Sequence, residues 1–323
     1  MRLLTHALIA IAVLSAAGCA GTAGDGAPPS AVVEVRPAPT PAELAAPTRV
    51  VVLGSGTPIP DARRAGTSLA LVHRGRSYLF DVGPGAMQNA VRARYRHDIP
   101  SLYPSQVCCL FLTHLHSDHT LDYPELAFRL WWRRPAPLRA YGPTGLDGMT
   151  ESLYAMMAAD TLLRTTGPQP VANPELYRVE VSEIEDGFVL EKDGLRIEAF
   201  DVNHGAIRPA FGYRIDTPDR SIVISGDTAY SDALVERARG VDLLFHEVIS
   251  DTGLARNAPE WQAYHRKVHT PASEVARIAN ETRPGLLVLY HGLYYGVPEA
   301  TVLDEVRALY DGEVVLADDL DVF

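Results

Sequence analysis

The sequence predicts an α/β protein folded as a four-layer αββα sandwich, and three observations support this prediction. From Arg49 onwards, apolar runs typical of strands are interspersed with segments of helical character. The strand-like runs fall into an early and a late group, each accompanied by helices, as expected for two sheets packed on each other with helices outside. Polar residues collect where the apolar runs stop, which indicates where the chemistry is located.

The early group begins with an apolar run that ends at a Gly-Ser-Gly-Thr-Pro turn, followed by two runs flanking a His-Arg-Gly-Arg turn. Apart from Gln106 at its start, the run 106–112 is apolar, as in a strand buried on both faces. The predicted strands are 50–53, 68–72, 78–82, 106–112 and 138–141, and the predicted helices are 86–95, 124–132 and 144–157.

The late group repeats this alternation of apolar runs and turn residues. Thr270 is a plausible N-cap of a helix that has Pro271 at its first position. The predicted strands are 187–196, 198–202, 211–215, 221–224, 241–245, 286–290 and 313–317, and the predicted helices are 231–238, 271–280 and 298–310.

The N-terminus predicts export. Arg2, the apolar run 7–14 and the small residues 15–18 have the layout of a signal peptide over residues 1–19. Cys19 follows as in a bacterial lipobox, although Ala16 stands where Leu is usual, so we expect a periplasmic or membrane-anchored lipoprotein. An uncleaved apolar N-terminal helix is the alternative. Residues 20–48, rich in Ala, Pro, Gly and Thr, predict a disordered tether before a folded domain over 49–323.

Composition restricts the partners. The net charge of −11, from 40 acidic and 29 basic residues, argues against nucleic acid, since nucleic-acid-binding surfaces carry a basic excess. Three cysteines are too few for a disulfide-stapled scaffold. The neighbours Cys108 and Cys109 are expected to be ordinary buried strand residues, because vicinal disulfides are rare.

The segment after the buried run predicts a metal site. His114, His116, Asp118 and His119 place three imidazoles and a carboxylate within six residues. Imidazole and carboxylate ligands suit zinc, whereas calcium and magnesium prefer oxygen alone. In an extended segment His114 and His116 point to the same side, and a bend after Ser117 turns Asp118 and His119 toward a second ion.

Further candidate ligands follow other apolar runs. His204, Asp227 and His291 each stand at the end of a predicted strand beside a glycine. Taken singly, each is weak evidence, because a lone histidine after a strand is more often a capping residue. A catalytic metal centre, however, needs ligands from several strand ends that converge on one face.

These residues resemble the metallo-β-lactamase superfamily, whose H-x-H-x-D-H signature matches His114–His119. The resemblance extends to the branch of ribonuclease Z, metallo-arylsulfatases and related phosphodiesterases, and covers the chain from about Arg49 to its end. The further matching motifs are Gly54-Ser55-Gly56-Thr57-Pro58, Phe80-Asp81-Val82-Gly83, Tyr141-Gly142-Pro143, Phe211-Gly212-Tyr213-Arg214, Ser225-Gly226-Asp227-Thr228, His246-Glu247 and His269-Thr270.

The resemblance implies the metallo-β-lactamase sandwich and a site for two divalent ions, with zinc the expected metal. It implies one metal site from His114, His116 and His204, another from Asp118, His119 and His291, and a bridging Asp227. The expected reaction is hydrolysis by a hydroxide that bridges two cations.

The resemblance also implies roles for residues around the ions. Asp118 would orient the hydroxide, and His269 would stabilise the transition state or protonate the leaving oxygen. Glu247 would position His269. The plainer interpretations are that His269 simply precedes a helix and that Glu247 is a surface carboxylate. Asp81 is expected to hold the segment His114–His119, here called the metal loop, by hydrogen bonds.

The expected substrate is a small anionic phosphodiester or sulfate ester. Ribonuclease Z carries a long tRNA-binding arm between its Gly-Tyr-Arg strand and its bridging Asp, whereas Tyr213 and Asp227 here are fourteen positions apart. A lactone or β-lactam hydrolase and a non-catalytic metal-binding lipoprotein are the alternatives. The expected partners are the ester and, through Cys19, the membrane; a homodimer is a further expectation, since dimers are common among relatives of this fold.

One aromatic and basic segment has two interpretations. Trp131, Trp132, Arg133 and Arg134 form either a wall that binds an aromatic anion or a helix end packed against the sandwich, and packing is the favoured interpretation. Arg208 is a further candidate for contacting the anion.

Overall fold

A computed structural model describes residues 38–323. The first sheet contains β1 Thr48–Gly54, β2 Ser68–His73, β3 Arg76–Phe80, β4 Cys109–Phe111, β5 Arg139–Gly142 and β6 Glu180–Glu183. The second sheet contains β7 Val189–Lys192, β8 Leu195–Asp201, β9 Phe211–Asp216, β10 Ser221–Ile224, β11 Leu243–Ile249, β12 Leu286–Leu293 and β13 Val314–Leu316. The α-helices are α1 Pro41–Ala45, α2 Ala86–Arg96, α3 Ser117–Thr120, α4 Tyr123–Phe128, α5 Leu146–Thr166, α6 Asp232–Ala238, α7 Asp251–Leu254, α8 Pro259–Val268, α9 Ala272–Thr282 and α10 Glu299–Arg307, and short 3₁₀ helices span Pro100–Leu102 and Trp131–Arg133.

The strand directions bring one end of many strands to a common edge. In the first sheet β1, β2 and β3 are antiparallel, and β3 to β6 are parallel. In the second sheet β10 to β13 are parallel, while β7 to β10 alternate in direction, so that β8 runs in the same direction as β10. The carboxyl ends of β8, β10, β11 and β12 therefore meet at one edge of the second sheet.

Apolar packing defines the four layers. The two sheets face each other across a core that includes Phe80, Phe111, Tyr213 and Phe245. A second core lies between the first sheet and helices α2, α4 and α5, and a third lies between the second sheet and helices α6, α9 and α10. The predicted αββα sandwich is confirmed.

Several element boundaries differ from the prediction. The predicted helix 124–132 ends at Phe128, and Trp131 belongs to a 3₁₀ turn. The predicted helix 144–157 continues to Thr166. The predicted strand 187–196 is divided between β7 and β8 by a turn in which Asp193 and Gly194 have positive φ. The helix α8 and the edge strand β6, whose sequence Glu-Val-Ser-Glu has three polar residues out of four, were not predicted.

The start of the folded part also differs. Residues 1–19, predicted as a signal peptide, and residues 20–37 of the predicted tether lie outside the described residues. Within residues 38–48, helix α1 forms, because the Thr40 hydroxyl accepts from the Glu43 backbone and the Glu43 carboxylate accepts from the Thr40 backbone. Leu44 packs against the core of the first sheet. None of the helices within residues 38–323 is long and apolar enough to cross a membrane.

The expectation for the two neighbouring cysteines was wrong. Cys108 and Cys109 form a vicinal disulfide at the start of β4. Cys109 is buried, whereas Cys108 is only partly buried.

Candidate dinuclear metal centre

Buried hydrogen bonds fix the start of the loop that follows β4. The Tyr213 hydroxyl donates to the carbonyl oxygen of Leu112 at 2.6 Å. The backbone amide and hydroxyl of Thr113 both donate to the carboxylate of Asp81, at 2.8 and 2.9 Å. The chain then turns into α3, and this turn places Asp118 and His119 on the inner side of the loop. The carboxylate of Asp81 therefore holds the metal loop by hydrogen bonds, as expected.

Four side chains form a first candidate ligand set. The ligand atoms of His114, His116, His204 and Asp227 all lie within 4.8 Å of one another. The Nε2 atom of His114 and the Nδ1 atom of His116 are 2.9 Å apart, and His204 Nε2 is 3.5 Å from the same Nδ1. Burial lowers the pKa of His114 well below its usual value and lowers the pKa of His204 to about 4. Both imidazoles are therefore neutral at neutral pH, which is the form that binds a metal ion.

Asp118, His119 and His291 form a second candidate set within the same distance limit. The Oδ2 atom of Asp118 lies 3.2 Å from His291 Nε2 and 3.4 Å from His119 Nε2. The Oδ2 atom of Asp227 is 3.5 Å from His119 Nε2 and 3.6 Å from His291 Nε2, and 3.9 Å from His114 Nε2 of the first set. Asp227 therefore lies between the two sets, as a bridging ligand must.

The buried atoms of this cluster fit a pair of cations. Asp227 Oδ1 and His119 Nε2 are both buried and have no hydrogen-bond partner. Leaving such a polar atom unpaired costs roughly 1–3 kcal/mol, and more for a charged group. A divalent cation would satisfy both atoms, and nitrogen and carboxylate donors are ligands that zinc accepts readily. The residues present therefore fit divalent metal ions.

A β-bulge and a left-handed backbone conformation position His291 in the second sheet. Across β11 and β12, Glu247 pairs with Tyr290 and Val248 with Gly292, so His291 is the extra residue of a β-bulge. Its φ of 47° is left-handed, as is the φ of 59° at Asp81, and a non-glycine residue rarely adopts this conformation. Two of the nine non-glycine residues with positive φ within residues 38–323 therefore lie at the candidate site.

Hydrogen bonds at the outer ring nitrogens select which nitrogen faces inward. His204 Nδ1 donates to the carbonyl oxygen of Val268 at 2.7 Å, which leaves Nε2 for a metal ion. His119 Nδ1 lies 2.8 Å from a carboxylate oxygen of Asp81, and its Nε2 likewise faces the cluster. Such outer bonds fix the tautomer and the orientation of metal-binding histidines.

His269 and Glu247 lie together beside the two ligand sets. His269 Nδ1 is 3.0 Å from Glu247 Oε1, which also accepts from the backbone amides of Thr228 and Thr270 at 3.1 and 3.2 Å. The same Nδ1 is 4.0 Å from the Asp227 carboxylate. Burial lowers the pKa of His269 to about 4, and burial together with the Asp227 charge raises the pKa of Glu247. Glu247 is therefore fully buried and holds His269, so the interpretation as a surface carboxylate is wrong.

An aromatic cluster beside His269 was missed by sequence reasoning. Trp261, Tyr264, His265 and Tyr295, here called the aromatic wall, are linked by ring contacts of 5.1 to 5.8 Å. The His265 ring stacks on His269 at 5.7 Å, and its Nε2 is 2.7 Å from the Tyr295 hydroxyl. Trp261 and Tyr264 are 56% and 44% exposed, so they present ring surface to solvent.

The signal for this wall was present in the sequence. Positions 261, 264 and 265 lie on one face of a helix that leads directly into His269. The polar surroundings of His73, His97 and His265 in the sequence indicate solvated loop residues, but all three side chains are buried.

Trp131, Trp132 and Arg134 pack against the sandwich rather than lining the metal centre, whereas Arg133 is exposed. Trp131 is fully buried, and Trp132 lies under the Arg164 guanidinium at 3.9 Å. Arg134 is buried and donates to the carbonyl oxygens of Val107 and Leu126, so it is not available to a substrate. Arg208 is exposed, and its Nε donates to the carbonyl oxygen of Gly205 in the loop after His204.

At one edge of the sandwich, two sets of His and Asp side chains share the carboxylate of Asp227. This combination of fold and site defines the class of metal-dependent hydrolases. Comparisons with known proteins agree. A family model described as a β-lactamase superfamily domain matches residues 76–292. A ribonuclease Z of Mycobacterium sp. (strain KMS) is 32% identical over 282 residues, covering 84% of this chain and 94% of that protein. The chain belongs to the metallo-β-lactamase superfamily, in its ribonuclease Z-like branch, as the sequence motifs predicted.

Solved structures share the fold at lower identity. The Zn²⁺-bound PqqB of Methylobacterium extorquens matches with a TM-score of 0.63 and 18% identity, covering 85% of this chain and 99% of that one. A diphosphatase from the PhnP family matches with a TM-score of 0.60 and 20% identity, covering 85% and 97%. Both likenesses concern the fold.

Proposed function

We propose that this protein is an exported, dinuclear metal-dependent hydrolase that cleaves a small phosphodiester. The observation that carries this proposal is the convergence of seven side chains into two ligand sets that share the buried carboxylate of Asp227. Zinc is the ion that this donor set favours.

Two divalent ions in this cluster would supply Lewis-acid stabilisation of a phosphoryl oxygen and lower the pKa of a bound water. The protein's own groups set the geometry around them. Asp118 lies within 3.4 Å of both histidines of its set, so its carboxylate is placed to orient the attacking water. His269 has its Nδ1 fixed by Glu247, which leaves Nε2 to face the substrate. Because the pKa of His269 is about 4 in the protein alone, proton donation from Nε2 to the leaving oxygen requires an anionic substrate that raises this pKa and stabilises the imidazolium.

The choice of a phosphodiester is supported by the relatives. The curated relatives that this chain matches at about 30% identity carry the name ribonuclease Z, and cleavage of RNA breaks a phosphodiester. A structural neighbour is described as a diphosphatase. A sulfate ester has the same tetrahedral anionic centre, so it belongs in the test as a competing substrate.

The choice of a small substrate rests on the region between Tyr213 and Asp227. Strands β9 and β10 form an antiparallel hairpin joined by residues 217–220, which leaves no room for an inserted arm. The net charge of −11 disfavours a long polyanion. The aromatic wall beside His269 offers exposed ring surface on which an aryl or nucleobase group can stack.

A substrate panel with and without chelator tests the proposal. We expect hydrolysis of bis(p-nitrophenyl) phosphate that is abolished by chelator and restored by Zn²⁺. Asp118→Ala should lower kcat/KM by about 10³-fold or more, since it removes a metal ligand that also orients the nucleophile. Asp304→Ala, an exposed acidic residue on α10, is the matched control and should leave activity unchanged.

Other panel members separate the alternatives. Turnover of p-nitrophenyl sulfate but no phosphodiester would move the assignment to a sulfatase. Turnover of a lactone or β-lactam alone would favour carbonyl chemistry, and no turnover by fully metallated protein would favour the non-catalytic lipoprotein. RNA cleavage is the second candidate function, because the relatives are named ribonuclease Z. A precursor tRNA cleaved faster than any small ester would replace the proposed substrate class.

The role of His269 is tested by varying the leaving group. A p-nitrophenolate leaves without a proton, whereas an alkoxide requires one. His269→Ala should therefore lower kcat for alkyl phosphodiesters by about 10²-fold or more and for bis(p-nitrophenyl) phosphate much less. Glu247→Gln should shift the same selectivity in the same direction. Equal losses for both ester types would assign His269 to binding rather than proton transfer.

Export and lipid attachment remain proposals drawn from residues 1–19. The Cys108–Cys109 disulfide supports them, since disulfides persist in oxidising compartments. The full chain expressed in a bacterial host should appear in the membrane fraction and incorporate labelled fatty acid. Cys19→Ala should abolish the label, and label that persists in this variant would contradict attachment at Cys19.

A further inference from the structure

A large cavity opens at the end of the first sheet opposite to the metal loop. Strands β3, β4 and β5 are parallel, so their amino ends lie together at one edge. A cavity of about 820 Å³ lies at this edge, and none of the seven candidate metal ligands lines it. The metal loop begins five residues beyond Cys109, which corresponds to roughly 16 Å of extended chain. The cavity is therefore separate from the proposed hydrolytic centre.

The cavity concentrates positive charge on an acidic protein. Its lining includes five cationic side chains and no acidic residue, although the whole chain has a net charge of −11. The cationic residues are Arg76, Arg94, Arg133, Arg139 and Lys192. A concave surface with charge of one sign raises the local concentration of ions of opposite charge.

Two of these cations have partners that remain accessible to solvent. Arg76 lies 3.4 Å from Asp193, and Arg139 lies 2.9 Å from Glu180. All four side chains are about half exposed or more, so these ion pairs are weak and can exchange for a ligand.

The remaining three cations are available to a ligand. Within residues 38–323, Arg94, Arg133 and Lys192 form no ion pair with an acidic side chain. The Arg94 guanidinium lies over the Tyr103 ring at 5.1 Å, and its Nε is buried without a hydrogen-bond partner. An arginine held on an aromatic ring is preorganised to bind an anion.

Apolar groups complete the lining between the cations. The cavity is bounded by the Cys108–Cys109 disulfide, by Tyr78 and Tyr103, and by Leu190 of the second sheet. Its volume is within the range typical of sites for drug-sized ligands, which bury most of their surface in mainly apolar pockets. A lone inorganic anion would leave these apolar groups uncovered.

We propose that this cavity binds a small, multiply charged anion that carries an aromatic or otherwise apolar body, as aryl and nucleoside polyphosphates do. The anionic groups contact Arg94, Arg133 and Lys192, and the apolar body lies against Tyr103 and the disulfide. This site is additional to the proposed hydrolase centre and does not depend on metal ions.

The test uses pyrene-1,3,6,8-tetrasulfonate, a fluorescent anion with a flat apolar body whose sulfonates bind zinc weakly. Anisotropy titration of the metal-loaded protein should show one site per chain. Arg133→Glu should weaken binding roughly tenfold or more, because it reverses a charge that the ligand contacts. Arg133 is exposed and without an ion pair, so this variant should fold normally.

Matched variants make the result decisive. Arg239→Glu makes the same charge change at an exposed position outside the cavity and should leave binding unchanged. Lys192→Glu should weaken binding as Arg133→Glu does. Equal effects of Arg133→Glu and Arg239→Glu, or binding unaffected by both cavity variants, would overturn the proposal. Hydrolysis of the chromogenic ester should be the same in all three variants, so failure here is distinct from failure of the hydrolase assignment.

Discussion

Gly83 offers a steric test of how the fold positions the metal loop. A Cβ atom at this position would lie 2.0 Å from the carbonyl oxygen of Asp118, 2.5 Å from the carbonyl carbon of Gly66 and 2.6 Å from the amide nitrogen of Thr67. All three neighbours are backbone atoms, so no side-chain rotation relieves the contact. In Gly83→Ala the loop must move by about 1.4 Å to reach ordinary van der Waals distance from the new methyl group.

This displacement is large on the scale of catalysis. A misplacement of about 1 Å can cost roughly 10²-fold in rate, so kcat/KM for the chromogenic phosphodiester should fall by about that factor. Overpacking should also lower the free energy of unfolding by about 1–3 kcal/mol. Metal affinity should fall as well, because Asp118 and His119 move with the loop.

The assay combines kinetics at saturating Zn²⁺ with chemical denaturation. Gly148→Ala is the control, because no atom lies within 4 Å of its added Cβ and alanine favours the helix. This variant should keep full activity and gain slightly in stability. If Gly83→Ala retained wild-type kcat/KM and metal content, close contact at this glycine would not be what positions the loop.

Four further outcomes are expected. Asp81→Asn should weaken Zn²⁺ binding 10- to 100-fold in chelator competition, because the carboxylate that orients His119 is lost; unchanged affinity would contradict this role. Burial opposes ionisation of Glu299, but hydrogen bonds and charge from Arg64 lower its pKa, so its contribution to stability is present above about pH 4.5 and is lost as pH falls further. Glu299→Gln should lower the free energy of unfolding by roughly 3 kcal/mol at pH 7. The free energy of unfolding of this variant should also decrease less steeply below pH 4.5 than that of the wild type, and an equally steep decrease would refute the assignment. Trp261→Ala should raise KM about fivefold for aryl but not alkyl phosphodiesters, and equal changes for both would exclude stacking. Chelator should lower the thermal midpoint, because a ligand at 1,000 times its Kd stabilises the native state by about 4 kcal/mol; an unchanged midpoint would show that no tightly held ion binds.

The sequence was sufficient for the fold class and for the positions at which ligands collect. A strand buried on both faces is apolar throughout, so the change to His114 and His116 marks its end without ambiguity. The same logic located His204, Asp227 and His291, since each follows an apolar run and the carboxyl ends of β8, β10 and β12 meet at one edge. The structure brings these residues together.

Features that depend on contacts between distant segments were not predictable in this way. His265 is buried because Tyr295, thirty residues later, covers it and meets its Nε2. Arg134 follows a tryptophan pair and precedes a proline, a local pattern of a surface turn, yet its guanidinium satisfies two buried carbonyl oxygens. The basic cavity combines residues from both sheets, so no single segment indicates it. Local periodicity reports which face of an element is buried, and it does not report which segment covers that face.

The candidate metal ligands come from both sheets, so metal binding should also affect the stability of the fold. His114 and Asp118 belong to the segment after β4 of the first sheet, whereas His204 and Asp227 follow strands of the second sheet and His291 lies in the bulge of β12. A cation bound by both groups therefore links the two sheets at the edge where their core ends. The left-handed conformation of His291 is unfavourable by itself, and an ion bound to its ring would stabilise it, so metal binding and local folding should be coupled. The stability that chelator removes should consequently be concentrated at this edge, in the amides of residues 113–120 and 290–292, which hydrogen exchange can resolve from the rest of the sandwich.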